Sequence, residues 1–392
     1  MTNRKGHPIA LSVDELMARA RQLTGIDIID HEIVEPLRML HRSLCEDACL
    51  HAEGAKAQQD KLLRLLSNRL RMQRDFAAHP EIADEKITAP VFVMGMGRSG
   101  TTKTQKVLAA SGDFNFIPFW KAYNWALLSG SRDESPEARI READEYCRWF
   151  DRLSPETKTG HSFETHEPEE ETTLNEGCFR TVSFMGYAEV WGYIQWIAPQ
   201  SAGPMFEFLR DCLKYLQWQG LASGSKRWLL KAPIYYGLEP DLLRVFPDAK
   251  LVMTHRSPLQ TVPSSCRLIE LFHQPFDDAP LNALPLAAGF PLQMNQHLAH
   301  RAQPGGLPIL DLHFDEVNRS METAIDKIYA FAGMALSDTA RHNMQQWGVE
   351  HPMHQHGKFQ YALETYGLSE TQIRHDFAAY LEFLRAKFGK DA

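Results

Sequence analysis

VFVMGMGRSGTT, residues 91–102, is the stretch of sequence that decides the fold. Its first four residues are a short apolar run, which is typical of a buried strand in a parallel sheet. Glycines then allow a tight turn, and a helical pattern runs from Thr101 to about Ala110. Such a turn directs successive backbone N–H groups to the N-terminus of a helix, where they can bind phosphate or a similar anion. Arg98 and the hydroxyl groups beside it favour this interpretation over a glycine-rich turn without a ligand.

The loop departs from that of nucleotide triphosphatases. Residues 95–100 match the pattern G-x-x-x-x-G, but Thr101 stands where the Walker A motif has its lysine. A small-molecule kinase that uses Mg-ATP is therefore disfavoured. Positive charge is expected instead from Arg98 inside the loop, with Lys103 on the first helical turn as a second source.

A βαβ unit follows further along the chain. Apolar runs at 228–231 and 249–254 predict two strands, and residues 238–245 between them have a helical pattern. The sequence also predicts helices over residues 11–80, a strand at 307–312, a helix over 320–332 and a C-terminal helix in the last 25 residues. These elements predict an α/β protein with a central parallel sheet, preceded by an N-terminal helical extension at residues 1–88.

Composition and charge disfavour several classes of function. The 392 residues include 50 acidic and 42 basic side chains, a formal net charge of -8, so no general attraction to nucleic acid or to an anionic membrane is expected. No apolar stretch approaches 18 residues and the N-terminus has no secretory pattern, which predicts a cytoplasmic protein without stable membrane insertion. The six cysteines lack a C-x-x-C pair, and the spacing of His351, His354 and His356 fits a loop, so no metal site is expected.

A second candidate anion site follows the strand at 249–254. Arg256 stands at the end of that strand, and Ser264 lies eight residues later, on the helix that the pattern predicts next. In a strand-to-helix connection this spacing can place a guanidinium and a hydroxyl around one anion. By itself it is also compatible with an ordinary helix start.

The motifs together resemble the sulfotransferases that use 3′-phosphoadenosine 5′-phosphosulfate (PAPS), and most closely the bacterial proteins of that family. The resemblance rests on the segments NRL at 68–70, GMGRSGTT at 95–102, EPEE at 167–170, LKAP at 230–233, FPDA at 246–249, THRSP at 254–258, YALE at 361–364 and YGL at 366–368. It implies a P-loop-like three-layer fold, in which helices flank the central sheet, with a sulfotransferase-like α/β domain at residues 89–392.

The resemblance also implies how the donor is bound. In the family the glycine loop holds the 5′-phosphosulfate, and an arginine and a serine eight residues apart hold the 3′-phosphate. The residues expected to bind PAPS here are Gly97, Arg98, Ser99, Gly100, Thr101, Thr102, Arg256, Ser264 and, from the C-terminal loop, Lys358. PAPS is expected as the co-substrate, and no metal is expected because the family needs none.

Arg98 and Lys231 are the expected catalytic cations. By analogy with phosphoryl transfer, sulfuryl transfer needs in-line positioning and stabilisation of the charge that develops on the leaving phosphate. Arg98 lies in the loop, whereas Lys231 ends a predicted strand and resembles the active-site lysine of cytosolic sulfotransferases. The alternative for Lys231 is a lysine that only extends out of a buried strand.

The general base is where this sequence departs most from the family. Relatives often carry a Trp-Glu pair past the loop and a histidine after a Lys-Ser-Pro segment, where this chain has Lys121 and Tyr235. His161 and His166 are the candidate substitutes, because a neutral imidazole can accept a proton near pH 7. The two glutamates at 169–170 are expected as carboxylates at a helix N-terminus.

Two functions remain open at this point. An active PAPS-dependent sulfotransferase would act on a hydroxyl or amine of a small-molecule or lipid-like acceptor, since the Trp- and Phe-rich residues 115–225 could line an apolar pocket. The alternative is a non-catalytic member of the same fold that binds PAPS or its desulfated product 3′-phosphoadenosine 5′-phosphate (PAP), which the replacements at Lys121 and Tyr235 suggest. The sequence leaves the acceptor and the oligomeric state open, and a homo-oligomer is compatible with it.

Overall fold

Parallel strands form the centre of the protein. The computed structural model describes residues 6–28, 30–352 and 359–389. In these residues the strands are β1 (Val91–Met94), β2 (Phe114–Asn115), β3 (Arg227–Lys231), β4 (Lys250–His255) and β5 (Ile309–His313). They form one sheet in the order β2-β3-β1-β4-β5, and every neighbouring pair is parallel. The carboxyl ends of all these strands therefore lie at one edge, where open α/β sheets bind their ligands.

The two faces of the sheet are buried in two apolar clusters. Phe92 and Met94 of β1 belong to one cluster, whereas Val91 and Val93 belong to the other. This alternation follows from the pleat of the strand, which points successive side chains to opposite faces. All four side chains are fully buried. Helices thus cover both faces of the sheet, and the predicted P-loop-like α/β fold class with three layers is confirmed.

The N-terminal part of the chain is helical, as the sequence predicts. Its helices are α1 (Val13–Thr24), α2 (Val34–Glu46) and α3 (Ala52–Ala78). α1 begins at a capping box, in which the side chains of Ser12 and Glu15 each accept a hydrogen bond from the other's backbone N–H. Leu62 and Leu66 of α3 are buried in the same apolar cluster as Phe92 of β1. The extension and the sheet therefore share a core, and the domain boundary after residue 88 stays a prediction.

The remaining helices connect the strands and cover the sheet. Between β1 and β3 they are α4 (Thr101–Ala110), α5 (Phe119–Tyr123), α6 (Glu137–Leu153), α7 (Thr172–Asn175), α8 (Trp191–Ile197) and α9 (Gly203–Trp218). α10 (Glu239–Val245) joins β3 to β4, and α11 (Pro258–His273) and α12 (Ala283–Arg301) join β4 to β5. After β5 come α13 (Phe314–Arg319), α14 (Met321–Ala332), α15 (Asp338–Glu350), α16 (Glu370–Asp376) and α17 (Ala378–Phe388). Short 3-10 turns span His31–Ile33, Pro80–Asp84, Pro155–Thr159, Glu176–Cys178, Val182–Gly186, Pro233–Tyr235 and Glu364–Tyr366. Among the described residues, no helix combines the length and the apolar composition needed to cross a bilayer.

The predicted glycine loop, α4 and βαβ unit lie where the sequence places them. The helices α12 and α15 were not predicted, and the other differences concern short elements. β2 has two residues, which are too few to show a periodic pattern. The single helix predicted for the last 25 residues is two helices, α16 and α17. Phe377 separates them because its ψ of 20° is not helical, and its buried side chain packs into the core.

Candidate active site

The loop between β1 and α4 requires glycine at two positions. Gly95 has a φ of +136°, and a Cβ atom there would lie 2.3 Å from the carbonyl oxygen of Thr254 in β4. Gly100 has a φ of +103° and is the N-cap residue of α4. Both conformations are strained for any other residue. The loop therefore lies directly against β4. The free N–H groups of the first turn of α4 lie at the end of this loop.

A cavity of about 900 Å³ lies at the carboxyl ends of the strands, and we call it the strand-end cavity. Six of the residues that the sequence predicts as PAPS ligands line it: Arg98, Gly100, Thr101, Thr102, Arg256 and Ser264. Ser99 is fully buried behind this lining, where its Oγ donates to the carbonyl oxygen of Met96 at 2.6 Å. A Cβ atom at Gly97 would lie 3.0 Å from Oγ of Ser265. Gly97 and Ser99 thus shape the loop, and Lys358 lies outside the described residues.

Arg98 and Arg256 meet at the loop. A terminal nitrogen of Arg256 donates to the carbonyl oxygen of Arg98 at 2.9 Å, and Nε of Arg98 donates to Oγ of Ser264 at 3.2 Å. The Arg98 backbone has a left-handed φ of +72°, a strained conformation that is common at functional sites. The structure thus brings together the loop arginine and the Arg–Ser pair that lies about 160 residues later in the sequence.

Positive charge is concentrated in this part of the cavity. Burial and the neighbouring charge of Arg256 lower the pKa of Arg98 to about 10. Arg98 forms no ion pair with a carboxylate in the part of the chain that the structure describes. Lys103 also lines the cavity, and burial lowers its pKa. Because like charges are held together here, an anion in the cavity would relieve their repulsion.

Lys231 ends β3 on the opposite side of the loop from Arg256. Its side chain is 1% exposed, and Nζ forms an ion pair with Glu170 and lies 3.3 Å from Oγ1 of Thr102 in α4. The lysine therefore points into the cavity beside the glycine loop instead of extending to solvent. Glu170 holds it there, since a buried ammonium needs a partner.

His161 lines the same cavity, and its Nε2 lies 3.1 Å from Oε2 of Glu169. Burial alone would raise the pKa of Glu169, but the charge and hydrogen bond of His161, together with Lys231, outweigh burial and leave that pKa lowered. Glu169 is thus ionised and accepts the Nε2 proton, so that in the neutral ring Nδ1 of His161 is the nitrogen that can accept a proton. His166 is exposed and does not line the cavity. The structure brings only His161 to the site.

The glutamates at 169–170 precede α7, as expected, but their role differs from the expected one. Neither carboxylate caps the helix, for which the N-cap residue is Glu171 without a side-chain hydrogen bond. Instead the two carboxylates pair with His161 and Lys231. His161 and Glu169 are eight residues apart, whereas Lys231 lies 61 residues after Glu170, so the second pairing could not be predicted from a local pattern.

Lys121 and Tyr235, which replace the acidic and histidine residues of relatives, lie away from the strand-end cavity. Nζ of Lys121 donates to the carbonyl oxygen of Leu221, and burial lowers the pKa of Lys121 to about 8. Tyr235 is fully buried, and its hydroxyl accepts a hydrogen bond from Asn175 at 2.8 Å. Both side chains serve packing and internal hydrogen bonding.

Two further contacts at the site are not visible in the sequence. A terminal nitrogen of Arg98 donates to the carbonyl oxygen of Gly160, and the guanidinium of Arg256 lies 3.9 Å from the ring centroid of Phe314. Phe314 directly follows β5, so its place at the carboxyl edge of the sheet is the one signal that could have indicated it. Gly160 contributes a backbone atom, which carries no sequence signal.

Glu171 gives a test of the electrostatics of this region. It is fully buried and accepts a hydrogen bond from the backbone N–H of Lys231 at 2.7 Å. Burial raises the pKa of Glu171 from its ordinary 4.5 to about 7. As the pH rises from 4.5 to 7, the unfolded chain releases this proton before the folded protein does. The free energy of unfolding therefore falls over this interval, by about 3 kcal/mol for a shift of this size.

Glu171→Gln is accordingly expected to stabilise the protein relative to wild type more at pH 8 than at pH 5, because the amide does not ionise. Urea unfolding at both pH values measures the difference. An equal effect at the two pH values would contradict the raised pKa of Glu171.

The chain is similar to known proteins in sequence and in fold. Residues 90–338 match the family described as "Sulfotransferase family". The sulfotransferase STF1 from Mycobacterium tuberculosis H37Rv is 25% identical, with 95% of this chain and 100% of that chain covered and a TM-score of 0.77. The sulfotransferase STF9 from Mycobacterium avium is 22% identical, with coverage of 98% and 97% and a TM-score of 0.82, a likeness of fold alone. No curated protein matches the chain.

Proposed function

Because the chain belongs to the sulfotransferase family, we propose that it transfers a sulfuryl group from PAPS to a hydroxyl or amine of a small-molecule or lipid-like acceptor by in-line displacement. The observation that carries this proposal is the pair Arg98 and Arg256 at the glycine loop. Their charges lie side by side in a cavity of about 900 Å³, and Arg98 has no carboxylate partner among the described residues. A donor with phosphate groups at both ends fits two adjacent anion sites.

The residues present fit the donor. The N–H groups at the start of α4, with Thr101 and Thr102, would hold the 5′-phosphosulfate together with Arg98. Arg256 and Ser264 would hold the 3′-phosphate. When bound, PAPS supplies the activated sulfuryl group, and the protein needs no covalent intermediate of its own.

Lys231 and His161 supply the proposed catalytic groups. Lys231 places a buried ammonium beside Thr102, where it stabilises negative charge that develops on the leaving phosphate. Nδ1 of His161 accepts the proton of the acceptor, and Glu169 fixes the ring by accepting the Nε2 proton. Glu169 and Glu170 are positioning residues, because each acts through the side chain that it holds, His161 or Lys231.

A non-catalytic PAP-binding protein is the second candidate function. It is favoured by one observation, the internal hydrogen bonds that hold the half-buried Lys121 and the buried Tyr235 at positions where relatives carry acid–base residues. The two functions differ in sulfate transfer and agree in PAP binding. Transfer from labelled PAPS to a broad acceptor panel, absent despite PAP binding, would select the second.

PAP is expected to raise the Tm of the protein without any divalent metal, because ligand binding to the native state stabilises it by RT ln(1 + [L]/Kd). Arg256→Ala is expected to weaken PAP binding by roughly 2–3 kcal/mol, the scale for a lost hydrogen bond to a charged group. Thermal unfolding with PAP in the presence of EDTA measures both effects. Arg42→Ala is the matched control, since Arg42 is an exposed arginine paired within α2.

Absence of any shift at millimolar PAP would overturn the proposed donor site. A shift that requires Mg²⁺ and ATP, and that PAP does not produce, would revive the kinase that Thr101 disfavours. Equal loss of PAP binding in Arg256→Ala and Arg42→Ala would show a general effect of charge.

A further inference from the structure

A second cavity lies between α3 and the aromatic side chains of the middle section, and we call it the aromatic cavity. Its volume is about 520 Å³, within the range of sites for drug-sized ligands. Its aromatic lining consists of Phe119, Tyr123, Tyr146, Trp149, Tyr187 and Phe276. α3 supplies the opposite wall, so the N-terminal extension is part of this cavity.

The rings of this cavity are arranged to receive a flat molecule. Phe119 and Tyr146 stack with an interplanar angle of 14° and a centroid distance of 5.9 Å. Tyr123 lies 4.9 Å from Tyr146 and stacks on Phe119 at 5.6 Å. Aromatic side chains prefer offset-stacked or edge contacts with other rings. The three centroids lie 4.9–5.9 Å from one another, so the rings form a compact cluster. A planar ring compound can pack against the wall that Tyr123 and Tyr146 present to the cavity.

The interior of the aromatic cavity also carries positive charge. Lys61 is buried and paired with Glu176 at 2.6 Å, and its Nζ lies 3.6 Å from the ring centroid of Tyr187. Arg64 lies with its guanidinium 3.8 Å from the ring centroid of Tyr123 and donates to the carbonyl oxygen of that residue. Nε of Arg64 is buried without a hydrogen-bond partner, and the described residues offer this arginine no ion pair. Arg64 is thus the cation of this cavity whose charge is not neutralised.

The charged side chains at the rim of the aromatic cavity do not neutralise Arg64. Lys56 and Asp60 are exposed and pair with each other at 2.5 Å, and Glu53 is exposed. Exposed charges are screened by solvent, whereas Arg64 is partly buried against a ring. An acidic group on a ligand would therefore meet Arg64 in the interior.

One layer of rings separates the aromatic cavity from His161. Phe163 lies between them, 4.9 Å from the ring centroid of His161 and 5.4 Å from that of Phe119. Phe272 lies 5.6 Å from His161 and 6.0 Å from Tyr187 in the same way. The aromatic cavity therefore adjoins the strand-end cavity at the proposed general base.

We infer that the aromatic cavity binds the acceptor, and that this acceptor is a flat ring compound that carries an acidic group such as a carboxylate. The acceptor role rests on the proposed function, whereas the ligand class rests on the aromatic cavity alone. The ring packs against Tyr123 and Tyr146, and the acidic group pairs with Arg64. Because Phe163 separates the two cavities, the inference requires this ring to move so that the reacting hydroxyl reaches His161.

The test measures, by calorimetry, the binding of two probes to the full chain in the absence of PAPS. The probes are 6-hydroxy-2-naphthoate and 2-naphthol, which share a ring system and differ in the carboxylate. The naphthoate is expected to bind at least tenfold more tightly than naphthol. Arg64→Met is expected to abolish this preference, whereas Lys56→Met, a matched change at the rim of the same cavity, is expected to keep it.

A second variant protects the test against a folding defect in Arg64→Met. Ala57 lines the cavity from α3, and Ala57→Phe fills the space without removing an interaction. It is expected to weaken both probes at least tenfold while leaving the PAP-dependent rise in Tm unchanged. Equal affinities for the two probes, or affinities that neither Arg64→Met nor Ala57→Phe changes, would overturn the ligand class.

Transfer assays separate this inference from the proposed function. With PAPS, the naphthoate is expected to be sulfated with a kcat/KM at least tenfold above that of naphthol, and Arg64→Met is expected to raise KM more than it lowers kcat. Probe binding that depends on Arg64, together with no PAP shift and no transfer, would overturn the proposed function and the acceptor role while the ligand class stands. Transfer that shows no dependence on Arg64 or Ala57 would place the acceptor elsewhere.

Discussion

Lys231→Met is expected to lower kcat for sulfuryl transfer by about 100-fold or more, while PAP affinity falls much less. The ammonium lies in a water-poor place, 1% exposed, at the end of β3 and beside Thr102 of the glycine-loop helix. Preorganised donors in such places contribute about 10²–10³-fold to kcat. The effect falls on kcat because the charge that Lys231 stabilises develops only in the transition state. Steady-state kinetics and calorimetric PAP binding measure the two quantities separately.

Lys226→Met is the matched control for this prediction. Lys226 lies just before the other end of β3 and donates to the carbonyl oxygen of Gly112 at 2.6 Å. It is expected to leave both kcat and PAP affinity unchanged. If Lys231→Met reduced PAP affinity and kcat by equal factors, Lys231 would serve only to bind the donor PAPS.

His161→Gln is expected to lower kcat/KM by about 10²–10⁴-fold and to change the shape of the pH profile. A histidine base works only in its neutral form, so kcat/KM of the wild type rises with pH on the acidic side with unit slope. Glutamine cannot accept a proton, and the rising limb is expected to disappear. The pKa of Glu169 is lowered, so this carboxylate stays ionised over the range and does not produce the limb.

Two further variants identify the group that titrates. Burial raises the pKa of Glu171 to about 7, and Glu171→Gln is expected to keep the limb if His161 is the base. His166 is the competing histidine from the sequence. Loss of the limb in His166→Gln, with wild-type behaviour of His161→Gln, would reject the assignment.

The sequence predicted the centre of the fold because its signals there are local. The apolar run at 91–94, the glycines after it and the helical pattern from Thr101 lie within 20 residues, and each determines its own conformation. The βαβ unit that ends at Thr254 is similarly compact. By contrast, β2 is too short for a pattern, and the break at Phe377 depends on the packing of its ring.

Family motifs indicated some residues of the candidate site. Other residues could not be predicted, because long-range packing determines their positions. Arg98, Arg256 and Ser264 meet as the resemblance implies. The choice between two histidines could not be made from the sequence, because both lie in one polar segment. Packing of that segment against α11 turns His161 towards the cavity and leaves His166 in solvent.

The strand order has a consequence for synthesis of the chain on the ribosome. β1 lies at the centre of the sheet, yet its partners begin at Arg227 and Lys250. At a translation rate of about 5–20 residues per second, the nascent chain carries an unpaired β1 for on the order of ten seconds before either neighbour exists. During that interval the VFVM segment is an unprotected apolar strand, the kind of element that chaperones bind and that drives aggregation. Yield of the folded protein should therefore depend on translation speed and chaperone supply before it depends on final stability.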